Sequence, residues 1–298
     1  MPQNSHTPRS QPLWATVPES DRGSVRLLGA VVGIGVLQLL FYFGAVLHPW
    51  TKATISRPVY AATGGFVHPE LVMNLAWLGL VLFVLRSESL TARDVGLRRA
   101  VVGPALWSVV LVWLGAQMLL VTATVVTTGR VPGFAVTPLF SDGVVVFVGL
   151  LVRELFGNSL YEEVLYRGLL TEQVRLHLGS LSGVGPSSAL ALALAGSQAL
   201  FAFVHVPARL YQGATVPQTA LSVAALFVVG LLFAVVYYRT GNLLLAVGVH
   251  TLSNFPVFVF GATAQWAVWL ATLGLLLVWP RLSLSQTAAR PATVQPGD

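Results

Sequence analysis

The 298-residue chain is 55% hydrophobic and only 9% charged, with a net charge of +6 and a mean hydropathy of +0.76. A soluble domain carries about 25% charged residues, so this composition excludes an ordinary globular protein and points to a polytopic membrane protein. The basic residues lie between apolar stretches instead of forming one patch, which argues against a nucleic-acid partner, and the absence of cysteine excludes disulfides, thiolate metal sites and a cysteine nucleophile.

In chain order, residues 1–25 are rich in Pro, Ser, Thr and Gln and read as a disordered tail. A membrane span needs about 20 mainly apolar residues. Eight stretches qualify as candidates: 26–47, 70–86, 103–127, 143–172, 186–206, 216–238, 241–260 and 263–279. The expected fold is an all-α, polytopic membrane bundle of about eight transmembrane helices. It forms a single domain over 26–281, with a second disordered tail over 282–298. The gap between the last two stretches is short enough that they could form one broken helix. Arginine placement orients the bundle. With both termini cytoplasmic, inside segments hold most of the arginines, among them Arg86, Arg93, Arg98 and Arg99; outside loops hold Lys52, Arg57, Arg130 and Arg209.

The chemistry concentrates in the fourth stretch, in Asn158-Ser159-Leu160-Tyr161-Glu162-Glu163-Val164-Leu165-Tyr166-Arg167-Gly168. Charges at membrane depth are costly, so each needs a partner or a task. Glu163 and Arg167 stand four apart in the favourable acid-then-base order, which predicts an internal ion pair. Glu162 lies about 100° around the helix and cannot share that arginine in the same way. Glu154 and Asn158 line its face. Glu162 is thus a candidate general base, and the bland alternative is two structural carboxylates near an interface. Among the six histidines, only His205 and His250 fall within predicted spans. His250 and Asn254 share a helical face. A buried histidine is most often a hydrogen-bonded core residue; two of them with an asparagine and a Glu-Glu pair suggest a substrate path, a proton relay or a catalytic centre.

Glu162-Glu163-x-x-x-Arg167, Phe201-x-x-x-His205 and His250-x-x-x-Asn254, in that order on three separate spans, resemble the motifs of the CPBP intramembrane proteases. That family includes CAAX prenyl endopeptidases and bacterial bacteriocin-processing or immunity proteins. Asp94-Val95-Gly96-Leu97-Arg98 resembles a short upstream element of bacterial members. The resemblance covers roughly residues 90–260, with the catalytic motifs inside 154–256; the first two spans carry none of it. It implies a protease of a bacterial plasma membrane whose site is a cavity reached from the cytoplasmic side. In that reading Glu162 and His205 activate water, His250 and Asn254 stabilise the oxyanion, and Glu163, Arg167 and Phe201 support the site. The partners are the bilayer and a peptide or small-protein substrate, with no nucleic acid; oligomeric state is not legible. The reading taken is metal-free. The alternative is a catalytic zinc ion on Glu162, His205 and His250, although no His-Glu-x-x-His pattern demands one. Ser159, Ser197 and Ser253 are the residues a serine mechanism would use. Two non-proteolytic alternatives remain: a membrane scaffold or immunity protein, and a proton-coupled transporter working through Glu162 and Glu163. No internal repeat supports the transporter.

Overall fold

The computed structural model describes residues 25–134, 142–260 and 264–288, with side chains as far as Trp279. Among these residues the chain is a helical bundle. Its elements are α1 (Val25–Val46), α2 (49–62), α3 (Pro69–Ser87), α4 (Arg99–Thr128), α5 (Val144–Gly179), α6 (Pro186–Tyr211), α7 (Val216–Thr240), α8 (Leu243–Asn254) and α9 (Gln265–Ala288). The boundaries follow from local chemistry. Pro69, Pro186 and Pro217 occupy first-turn positions, where a missing N–H costs nothing. Thr215 and Gln218 form a reciprocal capping box ahead of α7: the Thr215 amide donates to Gln218 Oε1 at 2.8 Å. Gly129 and Gly241 close α4 and α7 in the left-handed conformation.

Six helices, α1 and α3 to α7, are long and apolar enough to cross a membrane. The expected count of eight is reached only by adding two shorter apolar helices, Leu243–Asn254 and the Gln265–Trp279 portion of α9. The seventh predicted span stops early because Pro256 cannot continue a helix and biases Phe255 to an extended conformation (φ −127°, ψ 68°). Residues 255–260, which follow α8, are not helical. The N-terminal tail falls on residues 1–24, outside those described, while α9 runs to Ala288, past the start of the predicted C-terminal tail.

α5 is the central element. It packs on α3 along its middle, on α6 along its C-terminal third and on α8 across the bundle; α4 lies against α8 and α9. Two stretches of α5, Arg153–Ser159 and Glu163–Leu170, are wide π-helical turns on either side of Leu160–Glu162. Such turns are rare and are found mostly at functional sites. The Asp94-to-Arg98 segment is a turn pressed against the bundle. Asp94 caps it by accepting from the Thr91 amide at 2.7 Å, and Val95 is buried. Gly96 has φ +88°, and a Cβ there would stand 2.9 Å from the Tyr237 hydroxyl, so the turn admits only glycine comfortably.

Contacts define two ends of the bundle. At one end Asn242 Nδ2 donates to the Val101 carbonyl at 3.1 Å, next to Val95 and Gly168. At the other, Phe134 pairs with Phe260, and Gly149 lies directly against the Phe66 backbone.

Candidate active site

The three motifs converge. Glu163 and Arg167 are fully buried and pair at 3.0 Å. Arg167 also donates through NH2 to the Gly230 carbonyl at 3.3 Å and lies 4.2 Å over the Phe201 ring. This cation–π contact and the ion pair together offset a charge that is 0% exposed, while the Arg167 Nε makes no hydrogen bond. Gly230 allows the approach, since a Cβ there would crowd Phe201 and Arg167 NH2.

Glu163 has a second task that helical spacing did not reveal. Its Oε1 also meets His250 Nδ1 at 2.8 Å. A carboxylate paired with arginine can only accept, so Nδ1 carries the hydrogen and Nε2 is the ring atom left for chemistry. That Nε2 lies 3.6 Å from Glu162 Oε2. Phe233 stacks on the ring at 4.5 Å and fixes its plane. The pair assigned to Glu163 and Arg167 is thus a triad, with His250 as its third member, and Glu162 sits across the imidazole from it.

His205 reaches the site through a helix break. Pro207 has no amide hydrogen and its ring crowds the preceding turn, so α6 loosens at Val204–His205. The His205 amide bonds back to Ala202, and the Phe201 carbonyl, which would otherwise take it, meets His205 Nδ1 at 2.7 Å. A carbonyl only accepts, so Nδ1–H donates and neutral His205 keeps its lone pair on Nε2. Glu162 and His205 both line a cavity of about 210 Å³.

Asn254 is placed differently. It is exposed, does not line that cavity, and donates to Glu154 Oε1 at 2.9 Å. Glu154 Oε1 also accepts from Asn158 Nδ2 at 3.0 Å and Ser159 Oγ at 3.2 Å. Ser159 is five residues from Glu154, a separation that an α-helix would spread over different faces; the π-helical turn brings the two together. Glu154 is a buried positioning residue whose role beside Asn254 depends on the fold.

The remaining cavity wall comes from helices outside the motifs. Gln38 and Tyr42 on α1 and Glu70 and Asn74 on α3 line it, together with Asn158 and Tyr161. Tyr161 donates to Gln38 Oε1 at 2.8 Å, and Gln38 donates to Asn74 Oδ1 at 3.2 Å. Glu70 accepts from Tyr42 at 3.3 Å and pairs with Arg153 at 3.3 Å; Arg153 in turn lies 3.5 Å from Glu154. Polar residues inside α1 and α3 were the available signal, because such residues at membrane depth mark sites. Beside this chain, burial holds His68 below the ordinary histidine pKa, with Glu70 opposing and Arg153 reinforcing the shift.

Ser159, Ser197 and Ser253 are all buried and already donate: Ser159 to Glu154, Ser197 to the Leu194 carbonyl and Ser253 to the Val249 carbonyl. None lines the cavity. Among the described residues no group of three His, Cys, Asp or Glu side chains is arranged to hold a metal ion.

Residues 144–256, which run from α5 to the end of α8, match the family model described as type II CAAX prenyl endopeptidase Rce1-like. This match supports placing the segment with the CAAX proteases. All seven motif residues, Glu162, Glu163, Arg167, Phe201, His205, His250 and Asn254, lie inside the match. At family level the match supports an intramembrane CAAX-type endopeptidase. No curated protein and no solved structure matches the chain.

The cavity lining comes from the C-terminal half of α1, the first turns of α3, the middle of α5 and the broken end of α6.

Proposed function

We propose that the chain is a metal-free glutamate-type intramembrane endopeptidase in which Glu162 and His205 activate a water against a peptide bond. One observation carries this reading: Glu162 and His205 line one cavity, while the Glu163-fixed His250 presents Nε2 at 3.6 Å from Glu162. Peptide hydrolysis needs a base, a hydrogen-bond donor for the developing oxyanion, and a site that admits one water while excluding bulk solvent. Glu162 accepts the proton of the attacking water. His205 Nε2 holds the second lone pair directed to that proton transfer. His250, oriented by Glu163, donates to the oxyanion from Nε2 once that nitrogen is protonated, and Asn254, oriented by Glu154, supplies the second donor from beside the cavity wall. Asn254 spends one amide hydrogen on Glu154, and the other is the one it offers. Substrates are hydrophobic or lipidated peptides and small membrane-associated proteins.

The test compares peptides from membranes containing wild type and His205→Gln. Peptide termini present only with wild type are expected, and identical peptide sets would overturn the proteolytic reading. Asn254→Ala should lower turnover by about 10²–10³-fold, the usual effect of losing one oxyanion donor, without loss of folded protein. Substrate cleavage by purified chain should survive exhaustive chelation. Stoichiometric zinc with chelator-sensitive cleavage would replace Glu162 as base by Glu162 as ligand.

A further inference from the structure

We infer that the cleft between α1, α2 and α3 seats one anionic phospholipid, with its phosphate at Lys52 and Arg57 and an acyl chain along α3. The helix α2 connects two spanning helices, so it lies at a membrane–water interface. Lys52–Ser56 within it is a π-helical turn, closed by the Arg57 amide donating to the Lys52 carbonyl. Five residues of regular α-helix would set these two cations about 140° apart. The wide turn brings them to one face instead, and such turns are found mostly at functional sites. Both line a pocket of about 300 Å³ together with Ser56, Tyr60 and His68. Neither pairs with a carboxylate among the described residues; Lys52 Nζ lies 6.0 Å over the Tyr211 ring. Glu70 is the acidic group on this pocket, and it is offset by Arg153 at 3.3 Å and accepts from Tyr42. Burial keeps His68 below its ordinary pKa, so it adds no charge at neutral pH. The pocket therefore carries a positive charge that no described residue neutralises.

The charge has an apolar continuation. Val46, Ser56 and Pro69 line this pocket and also a second cleft of about 550 Å³. The other walls of that cleft are apolar apart from Thr51, and Ala76, Trp77 and Leu80 carry it along α3. From Pro69 to Leu80, about eleven helical steps of about 1.5 Å cover about 16 Å. That is roughly half of a hydrocarbon core of about 30 Å. The cleft thus has the length of a single leaflet, with the cations at its interfacial end. Its walls are helices whose amides and carbonyls are bonded internally. An extended peptide would find few backbone partners there, whereas an acyl chain needs none. Basic pockets between spanning helices at the membrane surface select anionic headgroups. Glu70 of the pocket and Met73 of the cleft also line the cavity of Glu162 and His205, so the lipid seat shares a wall with it.

The test is lipid retention, read by native mass spectrometry of the full chain after delipidation in mild detergent. Phosphatidylglycerol and phosphatidylcholine are supplied in equal amounts. Wild type is expected to retain one phosphatidylglycerol with a preference of about tenfold or more, the effect of two cations on one headgroup. Lys52→Gln with Arg57→Gln should erase that preference. Arg86→Gln with Arg93→Gln removes the same charge from exposed positions outside the pocket and should keep it. Ala76→Trp fills the apolar cleft and should lower retention of phosphatidylglycerol although both cations remain. The inference is overturned by any of four results: no preference in wild type, a preference that survives loss of Lys52 and Arg57, an equal loss on changing Arg86 and Arg93, or undiminished retention by Ala76→Trp. Glycerol phosphate and a hydrophobic peptide with a free C-terminal carboxylate serve as competitors, and neither should displace the lipid. Displacement by the first would reduce the seat to a site for phosphate alone, and displacement by the second would assign the cleft to substrate; each overturns the lipid. These readouts involve no cleavage, so they hold or fail separately from the endopeptidase reading.

Discussion

Glu162→Gln is expected to lower peptide cleavage by about 10²–10⁴-fold, the range by which a positioned general base contributes, while the protein stays folded. Glutamine matches the shape of glutamate and can still donate and accept hydrogen bonds, but it cannot take the proton of an attacking water. The stabilising contacts at this position are few. Its side chain is 15% exposed, and His250 Nε2 is 3.6 Å away. The buried ion pair belongs to Glu163. Turnover of a hydrophobic peptide by purified protein, with denaturant unfolding followed in parallel, separates the two effects. Activity within a few fold of wild type would remove Glu162 from the role of base.

Arg167→Met should have the opposite profile, with a large loss of stability whatever the substrate. Methionine fills much of the arginine's volume between Phe201 and Phe233. It leaves Glu163, 0% exposed, without its cation. Breaking a buried pair by removing one partner costs about 3–5 kcal/mol, chiefly because a charge is left uncompensated. The double variant Arg167→Met with Glu163→Gln removes both charges. It should recover a substantial part of that loss, while activity stays low because His250 no longer has a carboxylate to orient it. Unfolding titrations in mild detergent read the result. A double variant no more stable than Arg167→Met alone would show that packing, not the unpaired carboxylate, governs the site.

These two outcomes separate adjacent glutamates, and that separation was already legible in helical phase. Spacing of four identified Glu163 with Arg167 and set Glu162 apart. Spacing did not show that His250 completes the Glu163 cluster, because the two residues are 87 apart in sequence and meet only through packing of α5 against α8. The serine alternatives were also open in the sequence; burial and prior hydrogen bonds close off Ser159, Ser197 and Ser253 in the fold.

The sequence by itself determined the membrane environment, the helical class, the order of the three motifs and the residues from which a site must be built. It could do so because apolar length, charge scarcity and i, i+4 spacing are local properties. Only the tertiary structure decided two matters. It shortened the seventh span at Pro256. It brought Gln38, Tyr42, Glu70 and Asn74 from helices without motifs into the cavity wall. The physical reason is common to both. Which faces of separate helices meet depends on packing around α5, and its π-helical turns at Arg153–Ser159 and Glu163–Leu170 rotate side chains away from the phase that a regular 3.6-residue period assigns them.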